Sequence, residues 1–183
     1  YIWDILEDSS ERLWIGTQYG LNQYYENTQK FKRFLPNAKD HKGFRVGRIQ
    51  DLHEDENGLI WIATQGGGVN IFNPETSEFK HVGVEDGLPD DGVAAIQQDD
   101  EGRIWVATAD GLAVIDANKF TVLKSFSDSN GLMADQFIRK ASYKDADGKL
   151  YFGSSNGLLS FYPEKVLDDS ELPTPIITDV QVL

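Results

Sequence analysis

Apolar positions fall in short runs separated by clusters of Asp, Asn, Gly and Pro, and the second of four similar segments shows the pattern best. Residues 46–54 read as a first strand that ends at the turn Asp55-Glu56-Asn57-Gly58. Residues 59–64 are apolar without strict alternation, as expected of a central strand covered on both faces. A Gly-rich turn leads into a third strand over 69–72. Asn73-Pro74-Glu75-Thr76 then turns the chain, because Pro presets φ and cannot continue a ladder. Phe79-Lys80-His81-Val82 is more polar and is expected at the rim.

The same unit recurs. Leu13-Trp14-Ile15-Gly16-Thr17, Ile60-Trp61-Ile62-Ala63-Thr64, Ile104-Trp105-Val106-Ala107-Thr108 and Leu150-Tyr151-Phe152-Gly153-Ser154 align, each preceded by an acidic turn and followed by a Gly-led strand. From Trp14 to Trp61 is 47 residues, to Trp105 a further 44 and to Tyr151 a further 46. A period of about 40–50 residues built from strands and turns predicts an all-β fold of propeller blades. The expectation is four four-stranded antiparallel blades, at about 1–35, 46–83, 93–127 and 137–167, forming part of a larger propeller. Such sheets stack face to face about 10 Å apart. Trp14, Trp61, Trp105 and Tyr151 are therefore assigned to the blade core, and small Gly16, Ala63, Ala107 and Gly153 leave room for the neighbouring blade. After residue 167 come Asp168-Asp169-Ser170, a linker marked by Pro173 and Pro175, and the alternating stretch Ile176–Leu183, which reads as the first strand of a following β-domain. Tyr1-Ile2-Trp3 enters mid-pattern, so the chain is expected to be a piece of something longer.

Charge narrows the partners. With 17 Lys and Arg against 30 Asp and Glu, the net charge of −13 argues against nucleic acid and against an anionic membrane surface. No apolar run reaches the ~18 residues of a membrane span, and without cysteine neither a disulfide framework nor a Cys-based zinc site can form.

The repeated residues resemble the two-component regulator propeller repeat: Asp55-x-x-Gly58-Leu59-Ile60-Trp61-Ile62-Ala63-Thr64 with Gly68-Val69 and Phe72-Asn73-Pro74, and their counterparts. Gly131-Leu132, Gln136-Phe137, Asp147–Gly153, Asn156-Gly157-Leu158 and Phe161-Tyr162-Pro163-Glu164 resemble the last blade of that family. Pro173–Val180 resembles the start of its triple-tyrosine β-sandwich. The resemblance implies a periplasmic sensor segment of a hybrid two-component system that detects oligosaccharides. In that family two seven-bladed propellers precede the sandwich, a membrane helix and a histidine kinase. The implied partners are an oligosaccharide, the remaining blades and the sandwich of the parent chain, and a second copy.

No catalytic constellation emerges, so the segment is not expected to be an enzyme or to hold a metal or cofactor. His41, His53 and His81 lack metal-ligand or triad spacing. The acidic turns lack the bidentate Glu of a calcium loop and sit where hairpins need turn residues. Gly66-Gly67-Gly68 opens a strand and is not followed by the Lys-Ser/Thr of a phosphate loop. Recognition is expected from loops on one face of the disc, where the turn between the second and third strands emerges beside the connection into the next blade. A sugar is held by amides, carboxylates and Arg with an aromatic ring beneath. Gln18, Tyr19, Arg45, Gln65, Asp110 and Asn156 supply those groups and are the candidate ligand-binding residues. Two rival readings are a scaffold that dimerises through its exposed first and last blades, and a propeller hydrolase or lyase.

Overall fold

Antiparallel sheets follow one another along the chain, each finished before the next begins. A computed structural model describes residues 1–35, 47–128, 132 and 136–167. The first sheet contains β1 (Ile2–Glu7), β2 (Leu13–Thr17), β3 (Gly20–Tyr25) and β4 (Lys30–Phe34). The second contains β5 (Arg48–Glu54), β6 (Ile60–Gln65), β7 (Val69–Asn73) and β8 (Glu78–Val82). The third contains β9 (Val93–Gln98), β10 (Ile104–Thr108), β11 (Gly111–Asp116) and β12 (Thr121–Phe126). Strand order in each equals chain order, which is the connectivity of propeller blades.

The fourth sheet corrects the expectation of four four-stranded blades. It holds β13 (Phe137–Lys144), β14 (Leu150–Ser154) and β15 (Gly157–Phe161), and among the described residues no outer strand follows. Pro163 opens a short helix instead, α1 (Pro163–Leu167), because Pro suits a first helical turn and lacks the N–H a ladder needs. Val166 of α1 is buried against the third and fourth sheets. The expected linker and β-domain strand over 168–183 lie outside the described residues.

Three apolar layers hold the sheets face to face. Trp14 and Leu21 meet Ile49, Ile62 and Phe72 between the first two sheets. Trp61 and Val69 meet Ile96, Ile104 and Ile115 between the next two. Trp105 and Val114 meet Phe137, Leu150 and Phe152 between the last two. Trp14 stands edge-on to Phe72 at 5.3 Å between ring centroids and Trp105 lies 4.8 Å from Phe161. Aromatic pairs of this kind add about 0.5–1.5 kcal/mol beyond their burial. Small residues permit the approach: a Cβ on Gly16 would stand 2.6 Å from Ile49 Cγ2 of the next sheet.

A carboxylate anchors each of these aromatic residues. Trp14 Nε1 donates to Asp8 Oδ2 at 2.7 Å, Trp61 to Asp55 and Trp105 to Asp99, both at 2.8 Å. Tyr151 repeats the bond with its hydroxyl, to Asp145 at 2.9 Å. The other oxygen of each Asp accepts two backbone N–H groups of its own turn, such as Asn57 and Leu59 at Asp55. Burial alone would raise the Asp8 carboxyl. The Trp14 indole and the backbone N–H and guanidinium of Arg12 outweigh it and hold Asp8 below the usual carboxylate range. The acidic turns thus spend their first Asp on the fold. Gly58, Gly102 and Gly148 complete them with φ of 75°, 77° and 78°, and Glu11 takes that left-handed place in the first sheet at 61°.

Candidate functional site

Strands reverse at every turn, so the start of the first strand, the end of the second, the start of the third and the end of the fourth share one side of each sheet. A hydroxyl at the end of each second strand closes the turn there. Thr17, Thr64 and Thr108 Oγ1 donate to the carbonyls of Gly20, Gly68 and Gly111 at 2.8, 2.8 and 2.9 Å, and Ser154 Oγ donates to that of Gly157 at 3.1 Å. Gly66 and Gly68 adopt the left-handed φ this turn needs in the second sheet, 92° and 64°.

Innermost strands β1, β5, β9 and β13 line the axis, and one residue in each of the first three is bulged: Trp3, Gln50 and Ala94 lie between register pairs that are consecutive on the partner strand. The residue after two of these bulges is a buried Asp. Asp4 Oδ2 accepts the Leu52 N–H of the second sheet at 2.8 Å, and Asp51 Oδ2 accepts the Ile96 N–H of the third at 2.9 Å. Each carboxylate therefore stitches its own inner strand to the next. In the fourth sheet the bulge is larger. Phe137 pairs with Ser154 but Ser142 with Phe152, which leaves Ile138–Ala141 outside the ladder, with Lys140 in a left-handed conformation.

That wide bulge carries two cations to the first sheet. Arg139 Nη1 donates to the Trp3 carbonyl at 2.8 Å and its guanidinium stands 4.9 Å from the Trp3 ring centroid. Lys140 Nζ pairs with Asp4 Oδ1. Arg48, at the start of β5, stands 4.7 Å from the same ring and donates through Nη2 to Gln65 Oε1. Trp3 is partly buried, with its Nε1 making no hydrogen bond. Burial drives the Asp51 carboxyl up to about 7, opposed by the Ile96 N–H and reinforced by the neighbouring Asp4 charge, with Lys140 pulling the other way.

Of the described residues singled out in the sequence, Gln65 alone joins this axial cluster. Tyr19 is 70% exposed and lines a separate cleft of about 360 Å³ on the first sheet with Tyr1, Thr17, Asn22, Arg33 and Leu35. Gln18, Asp110 and Asn156 are exposed on their own turns; the Gln18 N–H reaches the Tyr1 carbonyl at 3.4 Å, and Asn156 Oδ1 accepts the Ser154 hydroxyl at 2.7 Å. Arg45 and His41 lie outside the described residues. His53 sits in β5, where burial lowers its pKa, and His81 Nδ1 lies 3.1 Å from Asn70 Oδ1 across the second sheet. Trp3, Arg48, Arg139 and the buried Asp4 and Asp51 were not anticipated. The available signal was that Asp4 and Asp51 stand at equal distance ahead of Asp8 and Asp55.

The sequence profile described as "Two component regulator propeller" matches residues 1–19, 43–66 and 87–110. Those three stretches are two-component regulator propeller repeats. Each match takes in the inner-strand, Asp-turn or central-strand residues of one of the first three sheets. "Histidine kinase P4" of Formosa agariphila is 29% identical over 181 residues, which is 96% of this chain and 13% of that protein. The chain therefore spans about an eighth of the length of the curated relative it matches. Among solved structures, the extracellular domain of a hybrid two component system from B. thetaiotaomicron superposes with a TM-score of 0.75 at 23% identity, over 91% of this chain and 22% of that one. Virginiamycin B lyase from Staphylococcus aureus gives 0.67 at 14% identity, over 89% and 53%. Both likenesses concern the fold.

Proposed function

We propose that this chain is an extracytoplasmic, ligand-sensing segment of a hybrid two-component sensor, lying in the periplasm and recognising an oligosaccharide on its loop face. The observation that supports this most is the match to the regulator propeller repeat in three of four sheets, together with likeness to a histidine kinase over nearly the whole chain. The segment does no chemistry of its own in this reading. Ligand binding biases the packing of blades against the domain that follows, and shifts a two-state equilibrium by its differential affinity for the two states. The histidine kinase that answers lies elsewhere in the parent chain.

The outward faces of the end sheets favour a packing role alongside recognition. Ile5 is 54% exposed on β1 and Tyr143 is 63% exposed on β13, beside the Tyr151 ring at 6.2 Å. Further blades of the parent chain, or a second copy, would cover them.

Thermal unfolding in the presence of an oligosaccharide panel tests the reading, since a ligand that binds only the folded state raises the transition. At least one saccharide is expected to do so, with Tyr19→Ala and Gln65→Ala each weakening the effect about tenfold in concentration. If both variants responded like the parent, the loop face would not be the site. New reducing ends in the mixture would make the protein an enzyme instead.

A further inference from the structure

Five of the described cations form ion pairs with carboxylates within 4 Å. Arg12 pairs with Asp8 and Glu75, Arg103 with Asp99 and Glu101, and Lys119, Lys140 and Lys144 with Asp116, Asp4 and Asp100. Arg48 and Arg139 have no carboxylate partner among the described residues, although acidic residues outnumber basic ones by 30 to 17. Both guanidiniums stand over one indole, at 4.7 and 4.9 Å from its centroid. Both positive charges are thus drawn to a single aromatic ring. Trp3 attracts each through its ring face, and Gln65 and the Trp3 carbonyl each take one donor.

The remaining guanidinium donors are available, since Arg139 and Gln65 are exposed and Arg48 is partly so. An anion at the edge of this ring would be drawn by both positive charges. Guanidinium presents its donors as a planar fork that matches carboxylate and sulfate oxygens, and the exposed Gln65 amide can donate to or accept from a hydroxyl. The local carboxylates do not compete. Asp4 is held by Lys140 and the Leu52 N–H, and Asp51 by the Ile96 N–H, both buried behind the cluster.

We infer that Arg48, Arg139, Gln65 and Trp3 form a subsite for the acidic group of a carboxylated or sulfated saccharide. This rests on the saccharide reading above and narrows it to acidic sugars, which the net charge of the chain would otherwise repel.

Calorimetric titration of the 183-residue chain with three probes of matched length tests the subsite: a neutral gluco-oligosaccharide, an oligogalacturonate and a sulfated galacto-oligosaccharide. The two acidic probes distinguish carboxylate from sulfate. At least one is expected to bind tenfold or more tightly than the neutral probe, and the preference is expected to shrink as salt rises from about 50 to about 500 mM. Arg48→Gln and Arg139→Gln are each expected to remove most of the preference. Arg48→Gln leaves the bonds of Arg139 and Lys140 to the first sheet in place, so it separates charge from folding; near-ultraviolet circular dichroism checks both variants. Equal affinity for neutral and acidic probes, or a preference that survives in both folded variants, overturns the subsite and leaves the saccharide reading standing. Failure of all three probes to bind removes both.

Discussion

Each indole between two sheets is fixed by an aspartate six residues upstream, and that single carboxylate also closes the preceding turn. Asp99 illustrates the load: its oxygens accept the Glu101 and Arg103 backbone N–H groups, the Arg103 guanidinium and the Trp105 indole. Removing it strands a buried indole N–H and two turn donors, and buried donors without partners cost about 1–3 kcal/mol each. Asp99→Ala is therefore expected to lower stability by about 3 kcal/mol or more in urea unfolding. Trp105→Phe should cost less, because it removes donor and ring edge together and leaves Asp99 its backbone partners. The tryptophans were legible in the sequence because they recur at one position in an apolar run. Their tie to Asp was not, since an Asp before Gly is already explained as a turn residue. The first sheet shows how much the turn tolerates, with Glu11 in a left-handed conformation that Gly58, Gly102 and Gly148 adopt freely elsewhere.

Inner strands carry features that composition conceals. Asp is depleted in strands, so Asp4 and Asp51 gave no reason to expect two buried carboxylates joining successive sheets through backbone N–H groups. The wide bulge Ile138–Ala141 was equally hidden, because a bulge changes register while leaving composition ordinary. Among the described residues no outer strand follows in the fourth sheet, where Pro163 opens α1 instead. These carboxylates give opposite pH signs. Asp51 titrates near 7 when folded against an ordinary value of 3.8, so the folded state holds its proton longer. Its contribution is full below the ordinary value and is lost as pH rises from about 4 through about 7. Asp8 and Asp145 are held below the ordinary value, so their contribution is present at neutral pH and is lost as pH falls through their lowered pKa. Asp51→Asn keeps one acceptor for the Ile96 N–H and can donate to Asp4. It is expected to flatten the decline in melting temperature between pH 4 and 7 while leaving acid unfolding in place; a decline as steep as in the parent protein would contradict the assignment.

At the scale of the whole molecule the four sheets follow a curve, with three apolar layers between them and polar contacts joining the last to the first. Lys140 to Asp4 and Arg139 to the Trp3 carbonyl span the axis without an apolar layer, in contrast to the Trp-filled interfaces elsewhere. The loop face follows from antiparallel order alone, and so was legible before any coordinates. Which residues on it meet was not, because that depends on the bulges that aim Trp3 and Arg139 at one another. Ligand recognition is proposed for this face. Hydrogen–deuterium exchange of the chain with and without a saturating oligosaccharide tests it directly. Protection is expected in peptides covering 1–3, 17–19, 48, 64–68 and 137–140, on the loop face. Protection confined to the Asp turns at 8–12, 55–59, 99–103 and 145–149, on the opposite side of the sheets, would contradict it.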